Sequence, residues 1–145
     1  MIHIAVVEDE QAYVEQLTEY IARFQEEFSQ EMKVTVFSDG DEIAEDYRAD
    51  YDIILMDIQM RFMDGMTAAE RIRELDRDVV IMFITNMTSY AVKGYEVDAL
   101  DYIVKPVEYF SFSRKLLRAM ERVKKKEESY LMIPVESGIQ KLAVG

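Results

Sequence analysis

Residues Tyr51 to Asp57 read YDIILMD, and this stretch constrains the fold more than any other. Ile53, Ile54, Leu55 and Met56 follow one another with no polar residue between them, the pattern of a strand covered on both faces in a parallel sheet. The run stops at a carboxylate. In open parallel sheets the carboxyl ends of the strands line the crevice where ligands bind, so Asp57 is the first candidate functional group. A turn-capping aspartate is the plainer alternative.

Around this strand the chain alternates short β-branched runs with helical periodicities. Ile2 to Val7 predicts a strand, and Tyr13, Leu17, Ile21 (or Tyr20), Phe24 and Phe28 predict one face of a long helix. Lys33 to Phe37 predicts a second strand, and Asp39 with Glu42 predicts a capping box for a helix that buries Ile43 and Tyr47. After the YDIILMD strand, Asp64-Gly65 predicts a turn and Ala68, Ala69, Ile72 and Leu75 the face of a third helix. Val79 to Ile84 predicts a fourth strand ending at Thr85. Ser89 to Tyr95, with Gly94 suited to a helix end, predicts a short fourth helix. Ala99 to Val104 predicts a fifth strand before Lys105-Pro106, and Phe112, Leu116, Ala119 (or Met120) and Val123 the inner face of a fifth helix. Five strands alternating with helices imply right-handed crossovers and a doubly wound parallel α/β sheet.

At 145 residues and 50% hydrophobic content the chain can bury one core. It has no cysteine, hence no disulfide framework and no thiolate nucleophile, and a reducing compartment suits it. The start, MIHIAVVEDE, has no basic segment followed by an apolar stretch of signal-peptide length, and the apolar runs are strand-sized; the expectation is a cytoplasmic protein without a membrane span. The net charge of −12 argues against the whole chain holding nucleic acid by phosphate neutralisation. Residues 109–126 carry +6, leaving −18 elsewhere, and the plain reading of that basic stretch is a solvated helix face.

Four predicted strands end in functional groups at the same edge: Glu8 and Asp9 after the first, Asp57 after the third, Thr85 after the fourth and Lys105 after the fifth. Singly, each has an ordinary explanation. The acids could form a first helical turn favoured by its dipole, Thr85 could cap a helix, and Lys105 could be a surface lysine. Jointly they point to chemistry. Three carboxylates at one edge repel unless a cation lies between them, and magnesium takes oxygen ligands from one or two carboxylates plus phosphate oxygens. Lys105 and Thr85 can then pair further oxygens of a phosphoryl group. His3, the single histidine, starts a strand away from this edge and reads as structural. Met56, Met60, Met63 and Met66 read as packing.

The segments VVEDE around Glu8 and Asp9, ILMDIQM around Asp57, MDGM at Met63 to Met66, FIT ending at Thr85 and DYIVKP at Asp101 to Pro106 resemble the receiver domains of two-component response regulators, over about residues 1–125, which implies a receiver domain at 1–126. The resemblance implies a flavodoxin-like fold in which Asp57 accepts a phosphoryl group from a sensor histidine kinase. It further implies Asp9 as a direct Mg2+ ligand, Glu8 as a water-mediated one, Gln59 as a backbone-carbonyl ligand, and Thr85 and Tyr102 as a switch pair. Such a domain is a phosphoacceptor that promotes its own phosphorylation and dephosphorylation rather than an enzyme. Homodimerisation through the fourth helix, fifth strand and fifth helix is the implied output. The stretch from Gly94 to Val107 is similar to the subgroup with a LytTR DNA-binding domain. Residues 127–145 then read as a linker and the start of such a domain, with a short extra hairpin capping the receiver as the plainer alternative, and with DNA bound only through an effector absent from these residues. The chain departs from the family at Arg61, where a proline is usual, and at Glu8, where an aspartate is commoner. An aspartyl-nucleophile phosphatase would usually carry a second aspartate at the position of Gln59, and a flavin module would carry a Ser/Thr/Gly-rich loop after the first strand.

Overall fold

The computed structural model describes residues 1–86 and 96–131, with side chains as far as residue 127. Five parallel strands, β1 (Ile2–Val7), β2 (Met32–Phe37), β3 (Ile53–Asp57), β4 (Val80–Thr85) and β5 (Asp101–Val104), pair in the order β2-β1-β3-β4-β5. Four helices are described: α1 (Gln11–Glu27), α2 (Gly40–Ala44), α3 (Gly65–Leu75) and the C-terminal α4 (Tyr109–Leu131), which is the fifth helix of the sequence pattern. The short helix expected at Ser89 to Tyr95 and the alternating segment 132–145 lie outside the described residues. The doubly wound architecture follows the prediction.

Period-two alternation assigns each strand residue to one of two layers. Ile4, Val6, Ile53, Leu55, Met82, Ile84 and Ile103 join Leu17, Ile21 and Phe24 of α1 and Phe112, Leu116, Ala119 and Val123 of α4. Their neighbours Ala5, Val7, Ile54, Met56, Ile81 and Phe83 join Ile43 of α2 and Ala68, Ala69 and Ile72 of α3. All five residues of β3 are buried, as its uninterrupted apolar run requires.

Departures from the sequence pattern occur where a periodicity outruns its element. Phe28 is 38% exposed because α1 ends at Glu27, although its ring still meets Phe24 at 4.6 Å. Leu75 is 67% exposed at the last residue of α3. Tyr47 lies beyond α2, half-buried, and its hydroxyl donates to Asp76 at 2.7 Å. The capping box is divided: Asp39 caps α2 through the Asp41 N–H, whereas Glu42 accepts from the backbone N–H and hydroxyl of Ser38. Edge strand β5 is shorter than predicted, though the Leu100 N–H still donates to the Ile81 carbonyl. His3 is structural, its Nδ1 3.0 Å from the Asp50 carbonyl and its Nε2 2.7 Å from the Thr35 hydroxyl.

At the C-terminal end of α1, Ser29 adopts φ 50° while the Gln30 N–H reaches back to the Gln25 carbonyl. This is the left-handed residue that closes a helix, a position that favours glycine. Ser29→Gly is expected to raise stability by about 0.5–1 kcal/mol, the left-handed penalty outweighing the entropy glycine adds to the unfolded chain. Urea unfolding monitored by circular dichroism checks it; an unchanged or lower midpoint would contradict it.

Candidate functional site: the acidic edge of the sheet

Register places the functional groups. Val7 pairs with Met56, Asp57 with Ile84, and Thr85 with Val104, so Glu8, Asp57, Thr85 and Lys105 all emerge within one residue of the same sheet edge. The Lys105 N–H donates to the Thr85 carbonyl at 3.0 Å, carrying the pairing one residue past β5. Alternation then separates them. Asp57 follows Ile53 and Leu55 onto the α1/α4 side, whereas Thr85 follows Ile81 and Phe83 onto the α3 side, where the half-buried Tyr102 ring lies 5.6 Å from Phe83.

Glu8 and Asp57 are 1% and 4% exposed, and the Lys105 ammonium sits between them, 2.9 Å from Glu8 Oε1 and 3.4 Å from Asp57 Oδ2. It also approaches Glu10 at 3.9 Å and lies 4.1 Å from the centroid of the Tyr13 ring. Burial pushes the carboxyls of Glu8 and Asp57 above the ordinary range, against the pull of Lys105. Burial also raises Asp9, helped by Glu8 beside it. For Lys105, burial works toward the neutral amine, but Glu8 and Asp57 outweigh it and its pKa is raised. One cation therefore offsets two buried carboxylates, and negative charge remains in excess.

Several features of this edge were not legible in the sequence. Lys105 reads there as a group awaiting a substrate oxygen, yet its partners here are Glu8 and Asp57. Tyr13 reads as an inner-face residue of α1; lying in the first turn of that helix, it stands at the site end and stacks on Lys105. Gln59 and Asp9 are exposed, consistent with groups facing a ligand rather than a core.

The donor set suits a hard divalent cation. Carboxylate oxygens of Glu8, Asp9 and Glu10 lie within 4.8 Å of one another. Glu8 is buried at the inner side of this set, its Oε1 2.9 Å from the Lys105 ammonium and its Oε2 accepting from the Glu10 N–H at 3.2 Å. An all-oxygen set at an electronegative edge is a fit for magnesium rather than for a soft metal.

The loop from β3 to α3 completes the edge. A Cβ at Gly65 would stand 2.1 Å from the Asp57 carbonyl oxygen, so only glycine lets α3 begin against the end of β3. The Gly65 N–H donates to the Ile58 carbonyl at 2.8 Å, and Asp64 caps α3 through the Thr67 N–H.

Comparison with known proteins agrees with this arrangement. Residues 4–120 match the family described as response regulator receiver domain. Among curated relatives, the transcriptional regulatory protein NatR of Bacillus subtilis is 30% identical over 136 residues, 90% of this chain and 54% of its own length. The sensory transduction protein LytR of Streptococcus agalactiae is 30% identical over 144 residues, 97% of this chain and 55% of its own. The chain thus spans about half the length of these relatives. Among solved structures, the receiver domain of a sensor histidine kinase from Pseudomonas aeruginosa, with a magnesium ion coordinated in its active-site cleft, superposes with a TM-score of 0.71 at 25% identity, covering 83% of this chain and 98% of its own. The sheet order, the acidic edge and a family match over 4–120 together establish that this chain belongs to the response regulator receiver domains, on the side of the LytR and LytT regulators.

Proposed function

We propose that Asp57 is the phosphoacceptor of this receiver domain and that the phosphoryl donor is a phosphohistidine of a sensor histidine kinase. The observation that carries the reading is the position of the Asp57 carboxylate, buried at the end of β3 with an ammonium 3.4 Å away and Glu8 on the far side of it. An Asp57 carboxylate oxygen attacks phosphorus, the bond from phosphorus to the donor nitrogen breaks, and the electron pair leaves with the imidazole. Lys105 would pair with a phosphoryl oxygen once Asp57 is phosphorylated, and the Thr85 hydroxyl would donate to another. Asp9, the Asp57 carboxylate and the Gln59 carbonyl would hold Mg2+, with Glu8 accepting from one of its waters. The ion supplies charge neutralisation for the transferred group. Hydrolysis of the acyl phosphate by water at the same edge would make the domain reset its own state.

Output would run through Thr85 and Tyr102, which share the α3 side of the sheet: inward movement of Thr85 toward a phosphoryl oxygen would free space for the Tyr102 ring and bias a two-state equilibrium. Homodimerisation would use β5 and α4, where Asp101 pairs with Lys115 at 3.5 Å and Arg118 at 2.8 Å, together with the expected fourth helix outside the described residues. The doubled length of the relatives, one a transcriptional regulatory protein, supports a DNA-binding output domain of LytTR type attached through residues 127–145 of a cytoplasmic regulator. Helix α4 runs on to Leu131, so any linker would begin as a continuation of that helix. Among the described residues no helix is long and apolar enough to cross a membrane.

The metal assignment has its own test. Asp9→Ala is expected to abolish Mg2+ binding in calorimetric titration and, with it, the magnesium-dependent labelling by a small acyl phosphate donor, while the unfolding midpoint changes little because Asp9 is exposed. Undiminished magnesium-dependent labelling of Asp9→Ala would reject it.

A further inference from the structure

The loop between Asp57 and α3 is anchored at its start by Ile58, 0% exposed, whose carbonyl accepts from the Gly65 N–H at 2.8 Å, but its middle is open. Gln59, Arg61, Phe62 and Asp64 are exposed, Phe62 by 73%, and Met60 and Met63 are only partly buried. Arg61 lies 5.3 Å from the Phe62 ring centroid, one exposed side chain against another. Beyond Ile58, apolar burial adds only the partial packing of Met60 and Met63 against the α3-side core, and Arg61 leaves the backbone without the φ restriction that proline would impose.

A carboxylate from another element supplies the restraint. Asp39, at the entry to α2, is 4% exposed. Its Oδ2 accepts from the Phe62 N–H at 3.0 Å, and its Oδ1 from the Met63 N–H at 2.8 Å and the Asp41 N–H at 3.4 Å. The backbones are in contact behind it: a Cβ at Gly40 would stand 2.4 Å from the Met63 carbonyl oxygen. Nothing but glycine following Asp39 allows the two segments to approach this closely. Burial works to protonate Asp39, but the N–H groups of Phe62, Met63, Asp41 and Gly40 outweigh it, so the clamp is anionic and its bonds are charge-assisted.

We infer that Asp39 is a positioning residue for the magnesium and phosphoryl site: by clamping the Phe62 and Met63 N–H groups it fixes the loop that carries the Gln59 carbonyl. Asp39 touches no proposed ligand and acts only through that backbone. The inference rests on the reading of Asp57 and Gln59 given above.

The test uses the 145-residue chain with Mg2+ alone as the probe, then Mg2+ with a small acyl phosphate. Asp39→Ala is expected to weaken Mg2+ affinity by about tenfold or more, as loss of a group supporting a metal ligand commonly does, and to slow labelling in parallel. Asp39→Asn, which keeps one accepting oxygen, should fall between it and the parent chain, and carries the test should Asp39→Ala not fold. Asp64→Ala, which removes the α3 cap from the same loop, should lower the unfolding midpoint with Mg2+ affinity unchanged, separating positioning from stability. Affinity and labelling within twofold of the parent in both Asp39 variants, whatever their midpoints, would overturn the inference. A parent chain that neither binds Mg2+ nor is labelled would instead overturn the reading on which it rests.

Discussion

Lys105→Met is expected to destabilise the metal-free protein by about 3–5 kcal/mol at pH 8, the usual cost of leaving buried charge without its partner. The lysine side chain is 8% exposed and pairs with carboxylates that are 1% and 5% exposed, so solvent screens little of the interaction. The pH dependence has a definite sign. Glu8 and Asp57 have folded-state pKa values raised by burial, so the folded state holds protons that the unfolded state has released, and stability falls as pH rises through that window. Removing Lys105 raises both groups further and deepens the fall. Its own raised pKa means the contribution of the lysine is complete at neutral pH and is lost only in strong alkali. Urea midpoints at pH 5 and pH 8 measure this: a variant that loses much more stability at pH 8 than at pH 5 agrees, and an equal loss at both would show that methylene packing, not charge, governs the site.

Asp57→Asn should act in the opposite direction on stability while removing the chemistry. Asparagine keeps the shape and discards one of two buried carboxylates that share a single ammonium, leaving Lys105 to Glu8 alone. The metal-free variant is expected to be more stable than its parent by about 1–3 kcal/mol at pH 8, with a shallower pH dependence. It should also accept no phosphoryl group. Such a gain would mark a functional site held at a cost to the fold, with the charge excess that destabilises the metal-free edge available to offset a cation. A loss of stability in Asp57→Asn would mean that Asp57 serves as a structural partner of Lys105.

How much of this was readable beforehand depended on how local the signal was. β3 announced itself because four apolar residues ending in an aspartate leave few alternatives, and the alternation of strands and helices led to the doubly wound sheet. Glu8, Asp57, Thr85 and Lys105 could be assigned to one edge because parallel strands share a direction, so each strand's last residue marks the same side. Which layer each group joins needed only period two. Contacts across the chain were another matter. Asp39 lies three residues before Glu42 and reads as half of a capping box, but its bonds to Phe62 and Met63 span 23 and 24 residues, beyond any local pattern. Phe28 and Leu75 continue helical spacings that the backbone abandons, and no periodicity marks where it does so. Tyr13 combined an expected position on α1 with an unexpected partner, Lys105, from the end of β5.

Mass spectrometry of the intact chain after incubation with an acyl phosphate donor, with and without Mg2+, shows whether Asp57 accepts a phosphoryl group. Borohydride reduction, which converts an aspartyl phosphate to homoserine, then allows tandem spectra to locate the site. One base-labile phosphoryl group per chain is expected, formed only with Mg2+, mapped to Asp57 and missing from Asp57→Asn. No labelling of the parent chain, equal labelling of Asp57→Asn, or modification mapped to another residue would contradict it.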